Sequence, residues 1–285
     1  MANRIGFKEF IKHLGKDQEL QLIVDANVII AARDKNHKDH RTVREFLSEL
    51  SSITQQATLF TTVTTKSEFL EYYRRKILTE GILEIYNRNK DEQIISKAVK
   101  QEIENQVRAR NQRQKREVEK QERIEQLLVS HSIDTTEIEI EEFSVDANYF
   151  KDSEIKAIKK AFRGRDVGKE TGWLKFCESV LLSKLHGLEK LLDELCHYLT
   201  TRDEVSRQYF TRAEVEWRMA TQICGETGMG YSDAMILNMA NHTSIKYIVT
   251  LDFDLVYGGH VSAKDKILIT PTDRLKGYKT VLRHM

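Results

Sequence analysis

Proline is almost absent from this chain: Pro271 is the only one in 285 residues. Glycine is sparse as well, at 13. With so few enforced breaks, long helices can run uninterrupted. Cysteine is scarce, and Cys177, Cys196 and Cys224 show no CxxC spacing. An odd number cannot close into pairs, so reduced thiols in a cytoplasmic protein are expected. No Cys/His pair sits at ligand spacing, which argues against a zinc site built on these residues. Long apolar runs are missing too. Nothing approaches the ~20 apolar residues of a membrane span, and Met1 to Lys16 holds no run long enough for a signal peptide. Charge of one sign is not in excess: the formal net charge is +1. The average therefore says nothing about nucleic acid, and only local clustering could.

What is present is a hydrophobic fraction of 40%, which fits a globular chain of one large domain or two modest ones. Leu20 to Val24 is a short apolar run ending at Asp25. Thr58 to Thr64 is rich in β-branched residues. Tyr247 to Leu251 is a third run and ends at Asp252, and Ile267 to Thr270 is a fourth, stopped by Pro271. Continuous apolar runs suit strands covered on both faces, hence a parallel sheet between helices. Helical patterns lie between them, at Val43 to Leu50, Lys66 to Leu78, Ala213 to Cys224 and Asp233 to Asn241, with Thr65 or Ser67 as a cap for the second. Phe7, Phe10, Ile11 and Leu14 space as a short amphipathic helix near the start. The alternation predicts an α/β fold, a three-layer α/β/α arrangement around a central parallel sheet.

The middle of the chain differs. From about Asn87 to Val129 it is mostly Glu, Lys, Arg, Gln and Asn, with Ile95, Val99, Ile103 and Val107 spaced by four. This predicts a long exposed helix or a helical hairpin arm. Ile138 to Val145 alternates as a short strand, and Trp173 to Leu199 carries a leucine stripe at helical spacing. The expected organisation is a first part over 1–84, a mainly helical insertion over 85–205 and a second part over 206–285.

Two strands ending in aspartate matter because ligands of an open parallel sheet bind beyond the carboxyl ends of its strands. If the two strands are neighbours, Asp25 and Asp252 converge there. Clustered carboxylates repel one another, and hard cations such as Mg²⁺ or Mn²⁺ relieve this. Each residue also has a plain structural role open to it. Asp25 and Asp252 could serve turns, and Asp233 and Glu68 could be first-turn acids favoured by the helix dipole, with Ser232 capping Asp233's helix.

The segments LIVDANVI, TTKSEFLE, YSDAMILNMA and IVTLDFD resemble the four signature blocks of the PIN-domain nucleases. The resemblance covers roughly residues 18–80 and 207–275. It implies a PIN-like, Rossmann-like fold and a metal-dependent endoribonuclease. Asp25, Glu68, Asp233 and Asp252 would be the catalytic metal ligands, with Asp254 as a second candidate in the last block and Glu71 as a weaker alternative to Glu68. Thr250, Asn27 and Ser232 would orient carboxylates or water. Mg²⁺ or Mn²⁺ would be the cofactor and RNA the substrate. A toxin with a small neutralising partner, a defence nuclease and an RNA-processing nuclease all fit, and a homodimer is open. The alternatives are a non-catalytic RNA- or protein-binding module and a structure-specific DNA nuclease.

Three further features remain. Arg108, Arg110, Arg113, Lys115 and Arg116 form a run without acids. It reads as a solvated helix, an RNA-backbone clamp or a docking arm for a protein; without an aromatic residue it does not stack bases. GRDVGK at 164–169 is one residue short of a phosphate loop, and Glu170 stands where a metal-binding Ser or Thr belongs. His37 and His40 lack ligand spacing and read as loop histidines, with a phosphate contact the sharper option.

Overall fold

The computed structural model describes residues 3–15, 19–54, 57–92, 95–130, 148–163, 172–211, 215–263 and 265–275. In chain order the elements are β1 (Asn3–Gly6), α1 (Phe7–His13), β2 (Leu20–Val24), α2 (Ala26–Arg33), α3 (His40–Ile53), β3 (Ala57–Thr61) and α4 (Val63–Glu92). Next come α5 (Lys97–Ser130), α6 (Asp152–Arg163), α7 (Trp173–Cys177), a π-helical turn at Glu178–Leu182 and α8 (Ser183–Leu195). The chain closes with β4 (His197–Tyr198), α9 (Glu204–Arg207), α10 (Trp217–Thr227), α11 (Tyr231–Asn241), β5 (Tyr247–Val249), α12 (Phe253–Ser262) and β6 (Ile267–Thr270). A single 3₁₀ turn, Thr272–Arg274, follows.

The chain forms two compact units. One holds residues 1–69 and 191–285, the other 70–190. The boundaries expected from sequence were 84/85 and 205/206, so residues 70–84 fall with the helical unit and 191–205 with the sheet. The expected strand over Ile138 to Val145 and the GRDVGK segment lie outside the described residues.

The first unit is built on six strands, all parallel, in the order β1-β6-β5-β2-β3-β4. From β2 the chain moves one way to β3 and β4, then returns to β5 on the other side of β2 and continues to β6. The order therefore reverses between β2 and β5, the place where open α/β sheets bind ligands. Alternation sends neighbouring side chains to opposite faces. Tyr247 meets Phe10 edge-on at 5.2 Å, and Phe7 stacks on Phe46 of α3 at 4.1 Å, so α1 and α3 cover one face. Ile23, Phe60, Ile248 and Leu268 point the other way, into a core with Ala220, Ile223, Ala234, Leu237 and Leu255 of α10, α11 and α12. Burying side chains such as these contributes about 1.5–3 kcal/mol for each large one, and that core fixes where the helix starts stand above the sheet edge.

The second unit is helical in its described residues. Leu78 and Ile82 of α4, Ile95, Val99 and Ile103 near and on α5, Ile155 and Ile158 of α6, and Phe176 of α7 share a core. The spacing by four seen in sequence is thus a buried stripe. The leucine stripe of Trp173 to Leu199 is not one buried helix: the π-helical turn interrupts it, and Leu174, Leu182 and Leu195 are exposed. No described helix is long and apolar enough to cross a membrane.

Candidate functional site

The register of the sheet places a polar row directly beyond an apolar one. Phe60, Ile23, Ile248 and Leu268 sit side by side across β3, β2, β5 and β6. Two residues further along three of these strands stand Asp25, Thr250 and Thr270, all fully buried. The ladder continues to this row, because Asp25 N donates to Val249 O and Thr250 N to Ile269 O, each at 3.0 Å. A carboxylate buried here needs partners. Thr250 Oγ1 supplies one, donating to Asp25 Oδ2 at 2.9 Å. The same hydroxyl accepts from Asp252 N at 2.9 Å, so one threonine ties both aspartates. Asp252 then caps α12, its Oδ1 accepting from Asp254 N at 2.6 Å and Leu255 N at 3.3 Å. Where the sequence offered Asp252 a turn role, the structure gives it an N-cap, and the cap uses only one of the two carboxylate oxygens.

Glu68 and Asp233 arrive on helices. Thr62 starts α4: its Oγ1 accepts from Thr65 N at 3.2 Å, and Lys66 N bonds Thr62 O at 3.0 Å. The helix thus begins at Val63, earlier than the cap expected at Thr65 or Ser67, and Glu68 lies in its second turn. Asp233 stands in the first turn of α11, after the N-cap Gly230. A Cβ on Gly230 would lie 3.3 Å from Asp233 Oδ2, so glycine leaves room for the carboxylate. Ser232 of α11 lies beside Glu68 of α4 and favours its charged form.

Electrostatics shows the four carboxylates to be mutual neighbours. Burial, offset by the Thr250 hydrogen bond and reinforced by Asp252, Glu68 and Asp233, pushes Asp25 up to about 7. Burial together with Asp252, Glu68 and Asp254 does the same for Asp233, also to about 7. Glu68 is raised by burial and by Asp252, against the lowering hydrogen bond from Ser232. Like charges held this way favour protonation or a cation. Among the described residues, no three Asp, Glu, His or Cys side chains are drawn close enough together to hold an ion. The donor set fits a hard cation in kind, all oxygen and partly buried, with its charges standing apart rather than closed to ligand distance.

Asp254 is exposed in the first turn of α12, and Asn27 is half-buried in the first turn of α2. Glu71 belongs to the helical unit, where it accepts from Arg74 Nε at 2.7 Å. His37 Nδ1 accepts from Asp39 N at 3.2 Å, and His40 Nδ1 bonds Ala31 O at 2.7 Å, so both shape the connection from α2 to α3. Burial holds His37 below its ordinary value, favouring the neutral ring.

The basic run divides. Arg113 is held inside the helical unit, its guanidinium bonding Glu154 at 2.6 and 3.1 Å and Tyr149 O at 3.0 Å. Arg110 lies over the Phe150 ring at 5.6 Å. Only Arg108, Lys115 and Arg116 are exposed. Packing thus takes up Arg110 and Arg113, and a clamp of all five side chains is not what the fold presents.

One residue was missed in the sequence. Arg274 Nη1 donates to Leu251 O at 2.9 Å, immediately before Asp252, and Nη2 bonds Asp39 Oδ1 at 2.7 Å. Nothing in local spacing ties Arg274 to Asp39, 235 positions away; the stop at Pro271, which turns the chain back over the sheet edge, was the one usable signal. No family model, curated protein or solved structure matches this chain.

Proposed function

We propose that the chain is a Mg²⁺- or Mn²⁺-dependent endoribonuclease of the PIN-like, three-layer α/β/α kind. The observation that carries this reading is the threonine bridge. Thr250 fixes a buried Asp25 and the start of the Asp252 segment at the point where strand order reverses, with Glu68 and Asp233 beside them. A fold gains nothing in stability from four carboxylates crowded at one sheet edge; a cation and a phosphodiester substrate give the crowding a use.

Asp25 and Asp252 would be the central ligands, with Asp233 and Glu68 completing the site directly or through water. When bound, such an ion lowers the pKa of a coordinated water and offsets charge on phosphate and leaving oxygens. Thr250 holds Asp25 in one orientation, Ser232 does so for Glu68, and Arg274 anchors the Leu251 carbonyl beneath Asp252. Burial of Asp25 excludes water from its inner side.

The test is cleavage of a mixed-sequence single-stranded RNA and its DNA counterpart by the wild type and by Asp25→Asn/Asp252→Asn, in Mn²⁺, Mg²⁺ or EDTA. Metal-dependent cutting of RNA that vanishes in the double variant is expected. Equal activity in both proteins would refute the residue assignment, and preferential cutting of DNA would refute the substrate.

A further inference from the structure

Two large rings are exposed at the first residues of α10 and α11. Trp217 opens α10 and is 63% exposed; Tyr231 opens α11 and is 46% exposed. Their rings stack, with centroids 6.2 Å apart and planes 21° from parallel. Tyr231 donates its hydroxyl to Thr221 Oγ1 at 3.0 Å, which fixes the ring against the next turn of α10. Tyr231, Ser232 and Asp233 are consecutive in one helical turn, whose pitch is about 5.4 Å. Tyr231 and Asp233 therefore share one helical turn, with side chains that leave it about 200° apart.

The core does not use these rings. From α10 it takes Ala220 and Ile223, and from α11 Ala234, Ile236, Leu237 and Ala240. Rings this large normally bury their faces, and this pair is pinned outside by a hydrogen bond. Arg218, next to Trp217, is exposed, as is Glu216 on its other side. A similar arrangement recurs beside the other carboxylate: Phe253, directly after Asp252, stacks on Tyr257 at 6.2 Å.

We propose that Trp217 and Tyr231 form a stacking platform for an unpaired base of the substrate strand, so that the substrate is single-stranded nucleic acid. That the bound strand is also the one cleaved rests on the nuclease reading above; the platform itself does not. Every base offers a π-face, so such a platform tolerates sequence, whereas in a duplex both faces of a base are already covered by its neighbours. The cation of Arg218 serves the backbone between bases.

Trp217 is one of two tryptophans, with Trp173, so its emission reports a base stacked on it. The protein is titrated in EDTA with oligouridylate, oligodeoxythymidylate, a hairpin duplex and an abasic strand of equal length. Emission and the anisotropy of a labelled strand are both read. Quenching by a single strand is expected, with the duplex and the abasic strand bound at least about tenfold more weakly. Trp217→Ala and Tyr231→Ala should each weaken single-strand binding about tenfold, and Trp217→Phe and Tyr231→Phe should retain it. Unchanged affinity in the alanine variants, equal binding of the abasic strand or the duplex, or no binding of any strand would overturn the proposal. No cleavage occurs in EDTA under the nuclease reading, so failure here and failure of the metal-dependent cleavage test are separate results.

Discussion

Thr250 Oγ1 reaches Asp25 Oδ2 at 2.9 Å across 225 positions of sequence, and Asp252 N reaches the same hydroxyl at 2.9 Å. Replacing Thr250 with valine keeps the shape and removes both bonds. Thr250→Val should cost about 1 kcal/mol of stability and lower divalent-metal affinity by roughly 10- to 100-fold. Thr250→Ser should retain most of that affinity. Mn²⁺ titrations of the two variants check this; equal affinity in both would show that the hydroxyl does not orient the site.

The carboxylates set a pH dependence whose sign follows from their shifts. Asp25 is raised from 3.8 to about 7, Asp233 is raised likewise, and Glu68 moves the same way. The folded state therefore holds these protons more tightly than the unfolded chain. The resulting stability is full below the ordinary carboxylate range and is lost as pH rises through about 7. In EDTA the wild type should weaken steadily over that window. Asp25→Asn should be flatter across it and on the order of 2 kcal/mol more stable at the alkaline end. Urea unfolding at several pH values measures this, and an asparagine variant that follows the wild-type curve would contradict the shift assigned to Asp25.

Arg113 separates packing from nucleic-acid binding in the helical unit. Its bonds to Glu154 and Tyr149 O are largely shielded, with side-chain exposures of 19% for Arg113 and 10% for Glu154. Arg113→Ala should cost about 3 kcal/mol by leaving the buried Glu154 without its cation, with only the Lys151 N–H still bonded to it. Arg108→Ala, at an exposed position, should stay within about 0.5 kcal/mol. Thermal unfolding of both variants decides the point. A triple change at Arg108, Arg110 and Arg113 would mix unfolding with any loss of RNA affinity, so Arg108, Lys115 and Arg116 are the positions at which to test a clamp.

Arg274 should act through Asp252. Arg274→Gln removes the cation that bonds both Asp39 and the Leu251 carbonyl. Asp39 Oδ2 is already buried without a hydrogen-bond partner among the described residues, so the loss should cost about 2–3 kcal/mol. Arg274→Lys keeps the charge but not the fork, and should recover less than half of the effect. Unfolding free energies together with Mn²⁺ affinity separate plain destabilisation from loss of position: metal binding unchanged in Arg274→Gln would remove the positioning role.

The central strands were legible because burial on both faces leaves an unbroken apolar run. Leu20 to Val24 and Ile267 to Thr270 form strands over those same residues, and β5 ends at Val249, two residues before the expected Leu251. The edge strands were not legible. β1 reads NRIG and β4 has two residues, too short and too polar to carry a pattern. Helix α2 escaped because ANVIIAAR buries five of its eight residues and has no polar face to show a helical period. The four carboxylates could be picked out as a set, but their mutual approach depends on register and helix starts. The tie from Arg274 to Asp39 and the stacking of Trp217 on Tyr231 exist only in three dimensions.

Asp25, Glu68, Asp233 and Asp252 are proposed to hold a divalent cation. Calorimetric titration with Mn²⁺ near pH 7, in buffers of different ionisation enthalpy, tests it most directly. Saturable binding with release of protons from the raised carboxylates is predicted for the wild type, with no such binding in Asp25→Asn/Asp252→Asn. Absence of binding in the wild type, or the same binding in the double variant, would contradict a cation site at these carboxylates.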